Sequence, residues 1–455
     1  MCNREFLLRE LENIFNELKK PQALYCMRIN PRFLIDNTIS SETHLRLKSL
    51  VQGNKGGNQT NIVFDPAIPN LCYFIVDGPN NPKKYDISVT IDRYAAESIM
   101  IGANLYMPGF INNPYDFKEG DKVSLYSPGH VHVANGVTKI NSNMIHKYKR
   151  GIAIQTFDNV YKIPNYRDSK LYADGVFSDH RFAPNLACWV LMSHYKEGDV
   201  ILDACSAPGH KTCALSEIGF YKNKKYPTIV SVDRSAHRLN HLLKDIKRLR
   251  LDNIRVIDSK IGQLARKHPE YHAYFDLIML DPPCSALGIR PKLEIEYSWT
   301  EYRNYFLLQR RLFKEIINLL KPKGFILYNT CTLTILENEA LVSYAINKLG
   351  LDLISAWDSI NSIFPDRFHE PKITLISTSE RTTSYFGKEL ENGLPSTERF
   401  YTLVNSGDFS EDKFENIVDL EKNWNLNNKN AKKCVRFNLN KANTSGYFFA
   451  LLRKK

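Results

Sequence analysis

Two short segments of this 455-residue chain place a thiol where chemistry can be done: Asp281-Pro282-Pro283-Cys284-Ser285 and Asn329-Thr330-Cys331-Thr332. Each follows an apolar run with the pattern of a buried strand, Phe275–Asp281 and Phe325–Asn329. A single strand-end cysteine reads as a small buried hydrophobe, and most of the nine cysteines read that way. Two of them at equivalent points, one just after a carboxylate, point to covalent catalysis. A thiolate adding to carbon 6 of a cytosine turns the ring into an enamine, whose carbon 5 can attack an electrophilic methyl group. A protonated Asp281 facing ring nitrogen 3, its pKa raised by burial, would stabilise the developing electron density. A second acid/base group helps when carbon 5 loses its hydrogen and the thiol leaves. Lys211 and a sulfonium methyl donor would together supply the positive surroundings in which a thiol ionises near neutrality.

A methyl donor needs its own site. Ligands of open parallel sheets bind beyond the carboxyl ends of the strands, where strand order reverses. An earlier apolar run, Val200–Asp203, leads into Ala204-Cys205-Ser206-Ala207-Pro208-Gly209-His210-Lys211-Thr212, a tight turn that opens a helix. Its small residues let the backbone approach a ligand, and the helix N-terminus offers free N–H groups. The next run, Ile229–Asp233, ends in a carboxylate suited to a ribose diol, and Ile254–Asp258 ends in one that can reach an adenine edge. The turn and the acid fit a dinucleotide equally well. Both G-x-G-x-x-G and the P-loop spacing are missing. The methyl chemistry selects S-adenosylmethionine.

The motifs Cys205-Ser-Ala-Pro-Gly-His-Lys211-Thr, Asp281-Pro-Pro-Cys284-Ser and Thr330-Cys331-Thr resemble those of the Nop/Sun family of RNA cytosine-5 methyltransferases. The resemblance covers nearly the whole chain apart from 357–430 and is strongest to the PUA-containing tRNA methyltransferases of that family. It implies that Cys331 is the nucleophile, that Cys284 assists product release, and that Asp281 contacts the base. It also implies that Cys205, Ser206, Ala207, Pro208, Gly209, His210, Lys211, Asp233, Asp258 and Asp281 hold S-adenosylmethionine, with Lys211 near the target cytosine. The implied substrate is a tRNA methylated near its acceptor end, whose CCA terminus engages the PUA domain. Three residues depart from the family pattern: His210 and Ala286 stand where glycine is usual, and Pro283 replaces a small residue. The side chain of His210 is expected to point outward. Ala286 costs on the order of 1 kcal/mol if its position needs a positive φ.

The elements that position these residues fall into three regions. Residues 1–85 read as an α+β RNA-binding piece, with a helix over 5–20, a strand Leu24–Ile29, a helical pattern from Ser41 and a Gly/Asn-rich loop at Gly53–Asn58. Residues 86–165 carry short strand patterns (Ile87–Ile91, Lys122–Tyr126, His130–Ala134, Ile152–Gln155) between turns, as in a small β-barrel. Within it Gly102-Ala-Asn-Leu-Tyr106-Met-Pro108-Gly109 and Glu119-Gly-Asp-Lys-Val123 resemble the PUA domain. Near its end Lys147-Tyr148-Lys149-Arg150 combines phosphate-neutralising cations with a stacking face; a solvated charged turn would look the same. His130 and His132 alternate onto one face, but no third ligand is near and no metal is expected. Residues 166–455 alternate strand and helix, which predicts an α/β, Rossmann-like fold with a mostly parallel sheet. One helical pattern there runs from Phe306 to Leu320. Within this region 357–430 reads as a partly ordered insertion before a closing strand pair, Val435–Leu439 and Tyr447–Leu452.

The composition sets the partner class. A net charge of +12 favours a polyanion. No C-x-x-C pair supports structural zinc, and no apolar run is long enough for a membrane span. A cytoplasmic monomer is the expectation. Two alternatives stay open: Cys284 as nucleophile, as in enzymes with a Pro-Cys motif, and an RNA-binding protein with a retired methyltransferase fold.

Overall fold

In the computed structural model the described residues are 14–35, 38–39, 62–111, 115–294, 299–365, 391–392, 426, 428–437, 439 and 444–455. The helical pattern from Ser41, the Gly53–Asn58 loop and most of 357–430 lie outside them. No described helix is long and apolar enough to cross a membrane.

Residues 14–18 form the described part of the N-terminal helix. Leu24–Ile29 (β1) follows with the bounds its apolar pattern indicates. Ile62–Phe64 (β2) and Leu71–Ile75 (β3) form an antiparallel pair, and β3 pairs with β1. The next sheet holds Ile87–Thr90 (β4), Leu105–Tyr106 (β5), Lys122–Tyr126 (β6), His132–Thr138 (β7) and Ile152–Asn159 (β8), in the order β4-β6-β7-β8-β5. It closes on Val89, Leu105, Val123, Leu125, Val133 and Ile154. A helix, Arg93–Ile99 (α1), is capped by Asp92, whose carboxylate accepts from Tyr94 and Ala95 N–H. His130 takes a positive φ of 59° in a turn before β7, so it does not share a strand face with His132.

Phe177–Asp179 (β9) returns to the first sheet and pairs with the open edge of β1, Met27 opposite Asp179. The boundary expected at 165/166 is therefore crossed: the edge of β1 finds its hydrogen-bond partners only in this later strand.

Phe182–Ser193 (α2) is buried along nearly its whole length. Then Val200–Asp203 (β10), His210–Asn223 (α3), Thr228–Asp233 (β11), Ala236–Leu249 (α4), Ile254–Asp258 (β12), Phe275–Leu280 (β13), Trp299–Ile316 (α5), Leu320–Thr330 (β14) and Glu339–Leu349 (α6) alternate as expected. Asp352–Ile354 (β15), Ala356–Ile363 (α7), Val435–Phe437 (β16) and Tyr447–Arg453 (β17) complete the domain. The strand order is β12-β11-β10-β13-β14-β17-β16, with β15 also on β17. The first five strands are parallel and β17 is antiparallel to its neighbours. Order reverses between β10 and β13, and their carboxyl ends open the crevice used below. Two expectations need correction. Leu320 begins β14 rather than ending a helix, because helix and strand share one apolar core there. Residues 357–363 belong to an ordered helix, with Ala356 and Ile360 fully buried.

Candidate active site

Strands β13 and β14 lie side by side with Leu280 beside Tyr328, so the chain leaves both at the same end of the sheet. The loops that follow bring Cys284 Sγ and Cys331 Sγ to 3.4 Å. Gly288 N–H donates to Cys331 O at 2.8 Å and ties the two loops together. Ala286 takes a φ of 55°, the positive conformation that a glycine adopts freely. Its methyl group therefore carries the cost of about 1 kcal/mol considered above.

Lys211 Nζ donates to Asp281 Oδ2 at 2.5 Å and lies 5.9 Å from the centre of the Tyr447 ring. Asp281 is thus met as one half of a lysine–aspartate pair. Burial pulls Lys211 down, but Asp281 beside it more than restores it, so its pKa is raised. The hydrogen bond with Cys284 lowers Cys331; burial and Asp281 oppose this, Lys211 and Arg181 reinforce it, and the thiol ends below its ordinary value. The same bond, then burial and the charges around it, push Cys284 up. Either sulfur can donate in this contact.

The loop after β10 is pinned over the sheet by Ala204 N–H to Met279 O (3.0 Å) and Ser206 N–H to Val232 O (3.1 Å). Gly209 has a φ of 111°, and a Cβ there would stand 2.5 Å from Leu242 Cδ1 and 2.8 Å from Leu242 Cβ. Packing of α3 on α4 requires this glycine. His210 does not point outward. It is half-buried beneath the N-terminal sheet, where Arg28 donates to its carbonyl at 2.9 Å. Asp233 accepts from Ala207 N–H (3.1 Å) and Ser235 N–H (2.9 Å), and Asp258 lies beside it in register. Lys147, Tyr148, Lys149 and Arg150 are exposed between β7 and β8, on a different sheet from the cysteines.

A family model of the 16S rRNA methyltransferase RsmB/F matches residues 190–362, and one of the PUA domain matches 87–157. The tRNA (cytosine(72)-C(5))-methyltransferase of Pyrococcus horikoshii is 31% identical over 342 residues, 74% of this chain and 82% of that one. The tRNA (cytosine(72)-C(5))-methyltransferase NSUN6 of Homo sapiens is 26% identical over 75% of this chain and 76% of its own. The crystal structure of NSun6 from Pyrococcus horikoshii with SFG matches with a TM-score of 0.70 at 27% identity, covering 99% of this chain and 97% of that one. The chain belongs to the RsmB/F (Nop/Sun) family of RNA cytosine-5 methyltransferases.

Methyltransferases of this family use S-adenosylmethionine, and the residues at the strand ends fit it. Asp233 and Asp258 stand together where a ribose diol and an adenine edge need acceptors. The buried Ser206 hydroxyl, with no hydrogen-bond partner among the described residues, offers a polar contact at the same loop. Sequence reasoning missed three residues of this Nop/Sun site. Asp203 lies buried beneath the loop and accepts from Thr212 Oγ1 at 2.7 Å; burial raises its pKa to about 7. Arg28 reaches α3 from β1, a contact no local pattern signals. Glu337 is fully buried beside the Cys284 loop. The Thr334-x-x-Glu337 spacing, a capping-box pattern, was the available signal.

Proposed function

We propose that this enzyme methylates carbon 5 of a cytosine at the acceptor end of a tRNA, with Cys331 as nucleophile and Cys284 assisting release. The observation that carries the assignment is the 3.4 Å thiol pair with the Lys211 ammonium beside it, whose charge favours an anion at Cys331. The Cys331 thiolate adds to carbon 6 of the base. Asp281 and Lys211 face the same ring, and the ammonium offers its proton toward nitrogen 3 as charge moves there. S-adenosylmethionine, held by Cys205 to Lys211 with Asp233, Asp258 and Asp281, supplies the methyl group for carbon 5. As carbon 5 gives up its hydrogen as a proton to the Cys284 sulfur, that sulfur passes its own S–H proton to the departing Cys331 thiolate, the carbon–sulfur bond breaks, and nitrogen 3 returns its proton to Lys211. The tRNA reading is supported by the PUA domain and by the names of the relatives. Lys147, Tyr148, Lys149 and Arg150 fit an unpaired RNA end through phosphate and stacking contacts.

The test uses bulk tRNA, S-adenosylmethionine and the full chain. Cys284→Ala should accumulate a denaturant-stable protein–RNA adduct and Cys331→Ala should form none. The reverse pattern would give the nucleophile to Cys284, and loss of methyl transfer in neither variant would overturn the thiol mechanism.

A further inference from the structure

Cys284 is flanked on both sides by groups that end on one buried side chain. Glu337, in the turn between β14 and α6, is fully buried. Its Oε2 accepts from Ser285 N–H at 2.9 Å and from Gln309 Nε2 at 3.0 Å, and the same Gln309 amide donates to Pro283 O at 3.0 Å. Its Oε1 accepts from the Ser285 hydroxyl at 2.5 Å and the Thr334 hydroxyl at 2.9 Å. Ser285 Oγ also meets Thr332 Oγ1 at 2.6 Å, and Thr332 directly follows Cys331. Among the described residues no Lys or Arg forms an ion pair with this carboxylate, so its charge is met only by dipoles.

A buried carboxylate without a cation is costly, and an apolar or amide side chain would fill the space with less strain on folding. We propose that Glu337 is a positioning residue for the release step, clamping the residues on either side of Cys284 and binding that loop to the one carrying Cys331. The proposal rests on the roles given above to the two thiols. The clamp also sets their charges apart. Burial raises the Glu337 pKa against the pull of its hydrogen bonds; its negative charge disfavours a second anion at Cys284, while Lys211 favours one at Cys331. Cys284 then keeps the proton that the leaving thiolate needs.

Glu337→Gln keeps the shape, removes the charge and turns one acceptor into a donor. With bulk tRNA and S-adenosylmethionine, the variant should form the Cys331–RNA adduct within about threefold of the wild-type rate. Release should slow by about tenfold, the worth of one charged hydrogen bond. Without RNA, limiting iodoacetamide should label Cys284 at the expense of Cys331, read by peptide mass spectrometry; a merely structural role would not redistribute the label. Ser285→Ala, which deletes one hydroxyl and keeps the N–H, should show the same pattern to a smaller degree. If circular dichroism shows Glu337→Gln unfolded, Ser285→Ala decides alone. Wild-type release with an unchanged label pattern, or attack and release slowed equally, overturns the proposal. Cys331→Ala is run alongside. An adduct in that variant sinks the thiol assignment itself, whereas no adduct there with wild-type release in Glu337→Gln sinks only the clamp.

Discussion

The Cys331 thiol lies 3.4 Å from Cys284 and feels the charges of Lys211 and Arg181, against the opposing pull of burial and Asp281. The balance favours the anion, so alkylation of Cys331 should rise with pH through a midpoint below the ordinary thiol value of about 8.5. Removing a cation disfavours the anion, so Lys211→Met should move that midpoint up. Iodoacetamide rates against pH, assigned by peptide mapping, check this; an unmoved midpoint would remove Lys211 from the activation of the thiol. Asp203 carries the opposite kind of burden. Burial raises it from 3.8 to about 7, so the stability linked to its proton is complete below the unfolded value and is lost as pH rises through about 7. Asp203→Asn should therefore lose less thermal stability than wild type between about pH 5 and pH 8. A steeper loss in the variant would contradict the assignment. The cysteines and Asp281 were legible because strand ends can be read from apolar runs. The depth of Asp203 was not, because burial of one carboxylate depends on how the loop packs over it.

Elements were legible where local pattern alone decides them. The bounds of β1, β6, β10 and β12 agree with their apolar runs. The pairing of β9 with β1 escaped notice because it joins residues on either side of a whole domain, and no local periodicity encodes that. Helix α1 escaped for another reason: its seven residues give an apolar stripe too short to separate from a strand pattern. Gly209 carries a constraint at an element junction that its sequence pattern does not signal. The positive φ and the 2.5 Å approach to Leu242 mean that a methyl group there must displace α4 or unwind the first turn of α3. Gly209→Ala should cost on the order of 2–3 kcal/mol, combining backbone strain with overpacking. Its melting temperature should fall, and its S-adenosylmethionine affinity should fall with it because Lys211 and the loop move together. Unchanged affinity in a destabilised variant would mean that the loop holds the cofactor independently of how α3 starts.

At the scale of the whole molecule, two bridges join the N-terminal region and the PUA domain to the methyltransferase domain. The first is Arg28 of β1, which pairs with Glu217 of α3 at 2.5 Å with both side chains 1% exposed. Breaking one partner of such a pair strands a buried charge, so Arg28→Met should destabilise by about 3–5 kcal/mol, and Arg28→Met with Glu217→Leu should recover much of that loss. The second bridge starts at the Cys284 loop itself. Beyond Ala286 the chain gives Lys292 N–H to Leu18 O (2.7 Å) and Leu293 N–H to Glu97 (3.0 Å), and Leu293 packs in the core of the PUA domain. Glu294 then accepts from Gly129 N–H at 2.5 Å. The PUA domain is thereby tied to the loop that carries Cys284. With a net charge of +12, phosphate contacts should dominate affinity and make it fall steeply with salt. If Lys147, Lys149 and Arg150 belong to that footprint, changing all three to Gln should weaken tRNA binding. It should also flatten the plot of log affinity against log salt by roughly two units, at about 0.7 for each lost contact on a single strand. The slope is the decisive quantity, because a local change of shape would lower affinity without altering the number of counterions released. A weaker complex with the wild-type slope would place the cluster outside the RNA path.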